Sequence, residues 1–284
     1  MIGSITEEQM TISKACSTLK VSREGFYKWK IREVKNPEIA LRKEIQGIAL
    51  EFPFYGYRRI AKELHRRELP VNHKKVLRIM REDNLLCRRK KAFKPVTTMS
   101  KHHYRIYPNL IKDLKVTGLN QLWVADITYV RLPEGFAYLA AIMDRFSRRC
   151  IGRELGRNID TQLTLTALNM AIKKRKHLGF ANLIHHSDGG IQYASNEYVD
   201  LLTKNGIRIS MTIGNAYENA HAESFNKTLK VEEVYINEYE TFEDAYKNIK
   251  HFIDLVYNKK RLHSSIGYVP PEEFEREVLK TTKN

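Results

Sequence analysis

The chain lacks any apolar run approaching the roughly 20 residues of a bilayer-spanning helix, so an integral membrane helix is not expected. Cysteine is scarce. Cys16, Cys87 and Cys150 lie far apart and form no CxxC pair, so neither a zinc knuckle nor a disulfide framework is indicated. There is no internal repeat, no low-complexity tract and no sustained heptad, which excludes a solenoid and a long coiled coil. The opening MIGSITEEQM has no basic-then-apolar leader pattern, so the expected place of work is the cytoplasm, at the nucleoid. Acidic residues are short in one part only. Residues 1–115 carry 27 Lys and Arg against 12 Asp and Glu, whereas the rest carries 22 against 21. A cationic front on a nearly neutral body points to a polyanionic partner, most often nucleic acid; the plain alternative is a soluble basic surface.

What is present is enough for a substantial core: 284 residues, 42% hydrophobic and 10% aromatic, suit two domains or one large domain with an appendage. Residues 11–30, TISKACSTLKVSREGFYKWK, read as two short helices around a turn, with Ser22 as N-cap of the second. Leu41, Ile45, Ile48, Ala49 and Phe52 then recur at helical spacing, and PFYG breaks that helix. Tyr57, Ile60, Ala61 and Leu64 mark another. Asn72 caps a third, with Val76, Leu77 and Met80 inward and His73, Lys74, Lys75, Arg78 and Arg81 outward. Three short helices with an exposed basic last one fit a helix-turn-helix DNA reader, with Lys74, Lys75 and Arg78 on phosphates; a small helical packing module has the same pattern. The run CRRKKAFKP, holding Arg88, Arg89, Lys90 and Lys91, reads as a phosphate-tracking arm or a solvated linker.

From Gln121 the period changes to two. QLWVADITYVR, GFAYLAAIMD and RCIGREL read as three consecutive strands. A helix over 161–178, a buried strand NLIHHSD, a helix near 195–205, a strand near 207–212 and two more helices follow. The expected fold is α/β, a mixed sheet flanked by helices. The expected divisions are a short helical segment at 1–35, a basic helix-turn-helix domain at 36–95, a linker at 96–117, a catalytic core at 118–232 and a helical C-terminal extension at 233–284.

Two acids stand out. Asp126 interrupts the first strand and Asp188 ends the fourth, both among apolar residues. A carboxylate held away from water without a partner costs several kcal/mol, about 2–7 even for a neutral polar group, so each needs a cation or a proton. A third acid nearby suits a pair of divalent ions. In SMTIGNAYENAHAESFNKTLK, Glu218 and Glu223 are five residues apart, about 140° around a helix, so only one of them can face the strands. Glu223, Asn226, Lys227 and Lys230 share a side, while Ala222, Phe225 and Leu229 make the apolar side. Taken alone, Glu223 and Lys227 also fit an ordinary surface ion pair. Gly189 and Gly190 suit either a phosphate contact or a turn, His186 either a DNA contact or a structural hydrogen bond. Asp144 is expected to pair with Arg145 and Arg148, and Trp123 to pack in the core.

Four motifs in order, LWVADITYV, HHSDGGIQYAS, SMTIGNAYENAHAESFNKTLK and YNKKRLHSSIGYVPPEEF, resemble the second reading frame of the insertion-sequence transposases of group three. That family belongs to the DDE transposase and retroviral-integrase superfamily. The resemblance runs from about residue 38 to the end and implies a five-stranded RNase H-like core. It places an acidic triad on Asp126, Asp188 and Glu223 that holds two Mg²⁺ or Mn²⁺ ions. It also implies Lys230 near the DNA end, with Lys227 on the same helix side a further candidate contact, DNA as partner, multimers on paired element ends, and often fusion to an upstream frame with a helix-turn-helix and zipper. Glu218 falls outside the triad. Here 34 residues separate Asp188 from Glu223, one fewer than the family pattern.

Overall fold

The computed structural model describes residues 11–34, 37–87, 103–212 and 220–281. The chain divides into two compact units, Met1–Arg88 and Arg89–Asn284. The first is all helical. In α1 (Ile12–Thr18) and α2 (Arg23–Val34), Ala15, Cys16 and Phe26 are buried, and Ser22 Oγ accepts from the Gly25 N–H at 3.0 Å. That is the expected N-cap. In α3 (Pro37–Glu51), α4 (Tyr57–Arg66) and α5 (His73–Glu82), the apolar stripe of each helix turns inward, burying Ile45, Ile48, Ile60, Leu64, Val76, Ile79 and Met80. Asn72 caps α5 by accepting from the Lys74 N–H at 2.8 Å. Ile79 holds the inward position expected of Leu77, which is half-exposed.

The second unit contains the sheet. β1 (Leu122–Leu132), β2 (Gly135–Asp144) and β3 (Cys150–Gly156) form an antiparallel meander. β4 (Ile184–Asp188) and β5 (Arg208–Thr212) add in parallel on the other side of β1, in the order β3-β2-β1-β4-β5. This is the expected RNase H-like sheet. One face buries Trp123, Ala125, Ile142 and Ile151 against α6 (Thr161–Arg175), α7 (Ile191–Ala194) and α8 (Asn196–Lys204). α6 lies so close to β3 that a Cβ on Gly152 would stand 2.2 Å from the Ala167 carbonyl oxygen, so that position admits only glycine. The other face buries Leu122, Val124, Leu139, Ala141 and Met143 against α9 (Ala220–Leu229) and α10 (Phe242–His251). Among the described residues no helix is long and apolar enough to cross a membrane.

The C-terminal stretch belongs to this core. Tyr239, Ala245, Ile249, Phe252, Ile253 and Tyr257 are buried in the same cluster as β1 and β2. Residues 103–121 have no helix or strand, yet Leu110, Ile111, Leu114 and Val116 pack on that cluster, and the Leu110 N–H donates to Ser210 Oγ at 2.9 Å.

The pairing expected for Asp144 is corrected. Its carboxylate turns inward, accepts from the N–H groups of Asn120, Phe146 and Ser147, and faces the buried Arg175 guanidinium at 3.8 Å. The N–H groups of its own turn orient the carboxylate inward, away from the arginines further along that turn. Arg175 in turn forks onto Glu275 of α11 (Pro271–Thr281), which also takes Ser147 Oγ at 2.6 Å and Arg149 Nη1 at 2.7 Å. Burial alone would raise the Glu275 pKa, but Arg175 and Arg149 outweigh it and hold the carboxyl below the ordinary glutamate range.

Removing one partner of such a buried pair costs about 3–5 kcal/mol, and that is the loss expected for Glu275→Gln in urea unfolding at pH 7. A lowered folded pKa stabilises above the ordinary glutamate range and is lost as pH falls through the folded value. The gap between wild type and variant should therefore narrow in acid. A variant within 1 kcal/mol of wild type at pH 7 would show the network to be incidental.

Candidate active site

β1 and β4 run parallel with Trp123 level with His185 and Val124 level with His186. Two more residues along each strand bring Asp126 level with Asp188, and the strand alternation puts both side chains on the α9 face. Each keeps an opening to solvent. Neither forms an ion pair among the described residues. Asp126 Oδ1 accepts from the Ile127 N–H at 2.9 Å and its Oδ2 from Asn226 Nδ2 at 2.8 Å. Desolvation, then the Asp188 charge, raise the Asp126 pKa to about 7; the two donors pull it back and the Glu223 charge adds to the rise. Asp188 is raised by desolvation as well, against a Gly190 N–H bond at 3.1 Å. A Cβ on Gly190 would sit 3.0 Å from that same carboxylate oxygen, so Gly190 serves the turn that shapes Asp188.

α9 lies against β1 through Ala222, Phe225 and Leu229, the apolar side read from the sequence. Glu223 is exposed on the flank toward Asp126 and forms no ion pair among the described residues, so the surface pair with Lys227 is not made. Lys227 is exposed. Lys230 is half-buried with Nζ 3.7 Å from the Tyr129 ring centroid; burial lowers its pKa and the Asp126 charge works against that. The donor set is all oxygen, suited to a hard divalent cation. Two desolvated carboxylates with no ion pair among the described residues fit such an ion, whose charge would favour the ionised form of Asp126. Glu223 completes the set only by swinging inward: among the described residues no three acidic, histidine or cysteine side chains already converge tightly enough to hold a metal.

Two neighbours of the site, and a third residue on the far flank of α9, were not given these roles from sequence. Asn226 is buried, and its Oδ1 has no partner while its amide orients Asp126; its position three residues after Glu223 was the available signal. Tyr193 is buried with its hydroxyl unpartnered, and burial followed by its aromatic neighbour Tyr198 and both aspartates raises its pKa well above the usual value. Arg148 reaches His221 Nδ1 on α9. His186 is structural, bonded to Ser210 and Thr212 at 2.9 Å each, and Trp123 is core.

In the helical unit, Lys74, Lys75 and Arg78 are all exposed on α5. Arg78 is engaged with Glu82 at 2.8 Å and Glu38 at 2.9 Å, and Lys75 lies 3.8 Å from Glu38. Lys74 forms no ion pair among the described residues. Arg88, Arg89, Lys90 and Lys91 lie outside the described residues.

Carboxyl NMR of the metal-free chain should show Asp126 titrating near 7, and Asp188→Asn should move it downward by removing a like charge. A wild-type midpoint in the ordinary aspartate range would show the recess to be wetter than its packing implies.

Residues 117–215 and 205–271 match two family models described as integrase core domain, and residues 37–93 match an HTH-like domain. The chain is 35% identical over 265 residues to the insertion element IS600 uncharacterized 31 kDa protein of Shigella sonnei, covering 91% of this chain and 96% of that one. It is 33% identical over 281 residues to transposase InsF for insertion sequence IS3A of Escherichia coli (strain K12), covering 96% of each. Among solved structures, the catalytic core domain of BIV integrase is 20% identical, with a TM-score of 0.41 over 58% of this chain and 99% of that one. With a third of its residues shared along nearly the whole of both chains, the protein belongs to the InsF transposase family of insertion sequence IS3.

Proposed function

We propose that the chain is a DNA transposase that cuts at the ends of its element and joins the freed 3′-hydroxyls to target phosphodiesters. The observation that carries this is the recessed pair Asp126 and Asp188, level across β1 and β4 and without an ion pair. Mg²⁺ or Mn²⁺ held by Asp126, Asp188 and Glu223 supplies, when bound, activation of the attacking oxygen and neutralisation of the leaving one. The chain's own part is positioning. Asn226 and the Ile127 N–H fix the Asp126 carboxylate from two sides, and the Gly190 N–H fixes that of Asp188. Asp126 must release its proton before it can bind a metal, so metal affinity rises with pH through about 7. Glu223, exposed on α9, closes the set, and Lys230 beside Asp126 meets the phosphate of the DNA end. DNA is the partner, read in the helical unit with Lys74 free to meet a phosphate and Lys75 and Arg78 drawn on by carboxylates. The working form is a multimer on paired element ends at the nucleoid, alone or with the upstream-frame protein.

One observation favours a second reading, a DNA-binding regulator without chemistry: Glu223 does not converge with the aspartates as placed. Metal-dependent nicking of a duplex bearing the element's ends separates the two.

Asp188→Asn should abolish both nicking and joining while leaving duplex affinity within a few-fold of wild type. Strand transfer at the wild-type rate would remove the assignment of the site. Chelation of divalent metal should silence the wild-type chain in the same way. For the helical unit, Lys74→Ala should flatten the log–log dependence of DNA affinity on salt by about 0.9, and a slope unchanged from wild type would mean that Lys74 meets no phosphate.

A further inference from the structure

The buried and half-buried arginines of the second unit are mostly matched to carboxylates. Arg149 and Arg175 meet Glu275, Arg153 meets Asp254, and Arg261 meets Glu232. Arg145 and Arg148, on the turn between β2 and β3, are not. Both are half-buried, and neither forms an ion pair among the described residues. Their nearest acid in sequence, Asp144, is turned inward and occupied by backbone N–H groups. Among the described residues the Arg145 side chain has a single hydrogen bond, from Nη1 to the Leu114 carbonyl at 3.3 Å. Arg148, held on the turn with φ 65°, has one as well, to His221 Nδ1. Each guanidinium has five N–H donors, so most of them remain to be met.

The two charges also stand near each other. Burial and then the Arg145 charge lower the Arg148 pKa, and burial lowers that of Arg145. His221 Nδ1 meets the Arg148 guanidinium from α9 and orients it. Two like charges, partly desolvated and with no counter-ion among the described residues, form an arrangement that an anion completes, and the planar donor fork of arginine matches phosphate oxygens.

We propose that Arg145 and Arg148, steadied by His221, form a second DNA-backbone site that grips a phosphodiester on the flank of α9 away from the acidic residues. His221 and Glu223 are two residues apart, so they leave α9 about 160° from each other. The phosphate held here is thus on a different stretch of backbone from the one being cut. This rests on the DNA-transposase reading and adds to it a contact outside the acidic site.

The test uses the full chain. DNA affinity is measured against salt for wild type, for Arg145→Gln/Arg148→Gln and for Arg145→Lys/Arg148→Lys. The Gln variant should lose about 0.9 of log–log slope per contact, up to about 1.8; the Lys variant should recover most of it. An unchanged slope in a folded Gln variant overturns the proposal. A second measurement needs no substitution: modification of the wild-type arginines by a phenylglyoxal reagent, read by mass spectrometry with and without duplex. Arg145 and Arg148 should react several-fold less with duplex present, and absence of protection overturns the proposal. Protection by an element-end duplex alone assigns the grip to the donor DNA, and protection by an unrelated duplex assigns it to backbone in general; either supports the site. Metal-dependent nicking is followed in parallel. Nicking with unprotected arginines sinks this site alone, whereas absence of both binding and nicking sinks the transposase reading together with it.

Discussion

Two carboxylates held level on neighbouring parallel strands, desolvated and in no ion pair among the described residues, are the constraint that organises this unit. Desolvating a charge is among the most expensive things a fold can do, and the usual remedies are an ion pair or a proton. Here burial and the neighbouring Asp188 raise the Asp126 pKa to about 7, and both carboxylates keep an opening to solvent. Everything that keeps Asp126 and Asp188 level follows from the sheet. β1 is central, bonded over ten register pairs to β2, and β4 joins it only at its first residues. β4 ends at Asp188, so its carboxylate stands at the strand's end, where the turn through Gly190 can bond it. β1 continues past that point, which leaves its edge accessible beside the acids.

The rest of the unit fixes α9 against that recess. Phe225 packs edge-on against Tyr257, joining the helix to the C-terminal stretch. Beyond Leu229 the helix widens into a π-helical turn, and Glu232 in that turn is gripped by Arg261 at 2.6 and 2.8 Å. On the opposite side, the Glu275–Arg175–Arg149 network pins α11 to the turn between β2 and β3. The same turn carries Arg145 and Arg148, so the C-terminal helix stabilises the platform of the proposed backbone grip.

Much of the fold was legible because its signals are local. Alternation in 121–131 marks β1, the run 184–188 marks a buried strand, and Asn72 and Ser22 announce their helices by the side-chain oxygens that accept from the first turn. The pairing of Asp126 with Asp188 is non-local, and only the resemblance to a known family pointed to it. What stayed hidden was the choice among partners. Asp144 is next to Arg145 and three residues from Arg148, yet it pairs with Arg175 because the turn directs its carboxylate inward. Arg78 reads as a phosphate contact from its exposed place on α5, and nothing local announces that it also lies against Glu38, 40 residues away. The C-terminal segment reads as an extension because nothing in its helical periodicity says that its apolar stripe closes the core under β1 and β2.

The central claim is that the recess between β1 and β4 is a metal site. A crystal of the full chain grown with Mn²⁺ and examined by anomalous scattering tests it most directly. The account predicts a peak within coordination distance of one carboxylate oxygen from each of Asp126 and Asp188, with Glu223 turned toward it. Saturating Mn²⁺ with no peak between those two aspartates, or with peaks only at other acids, would contradict it.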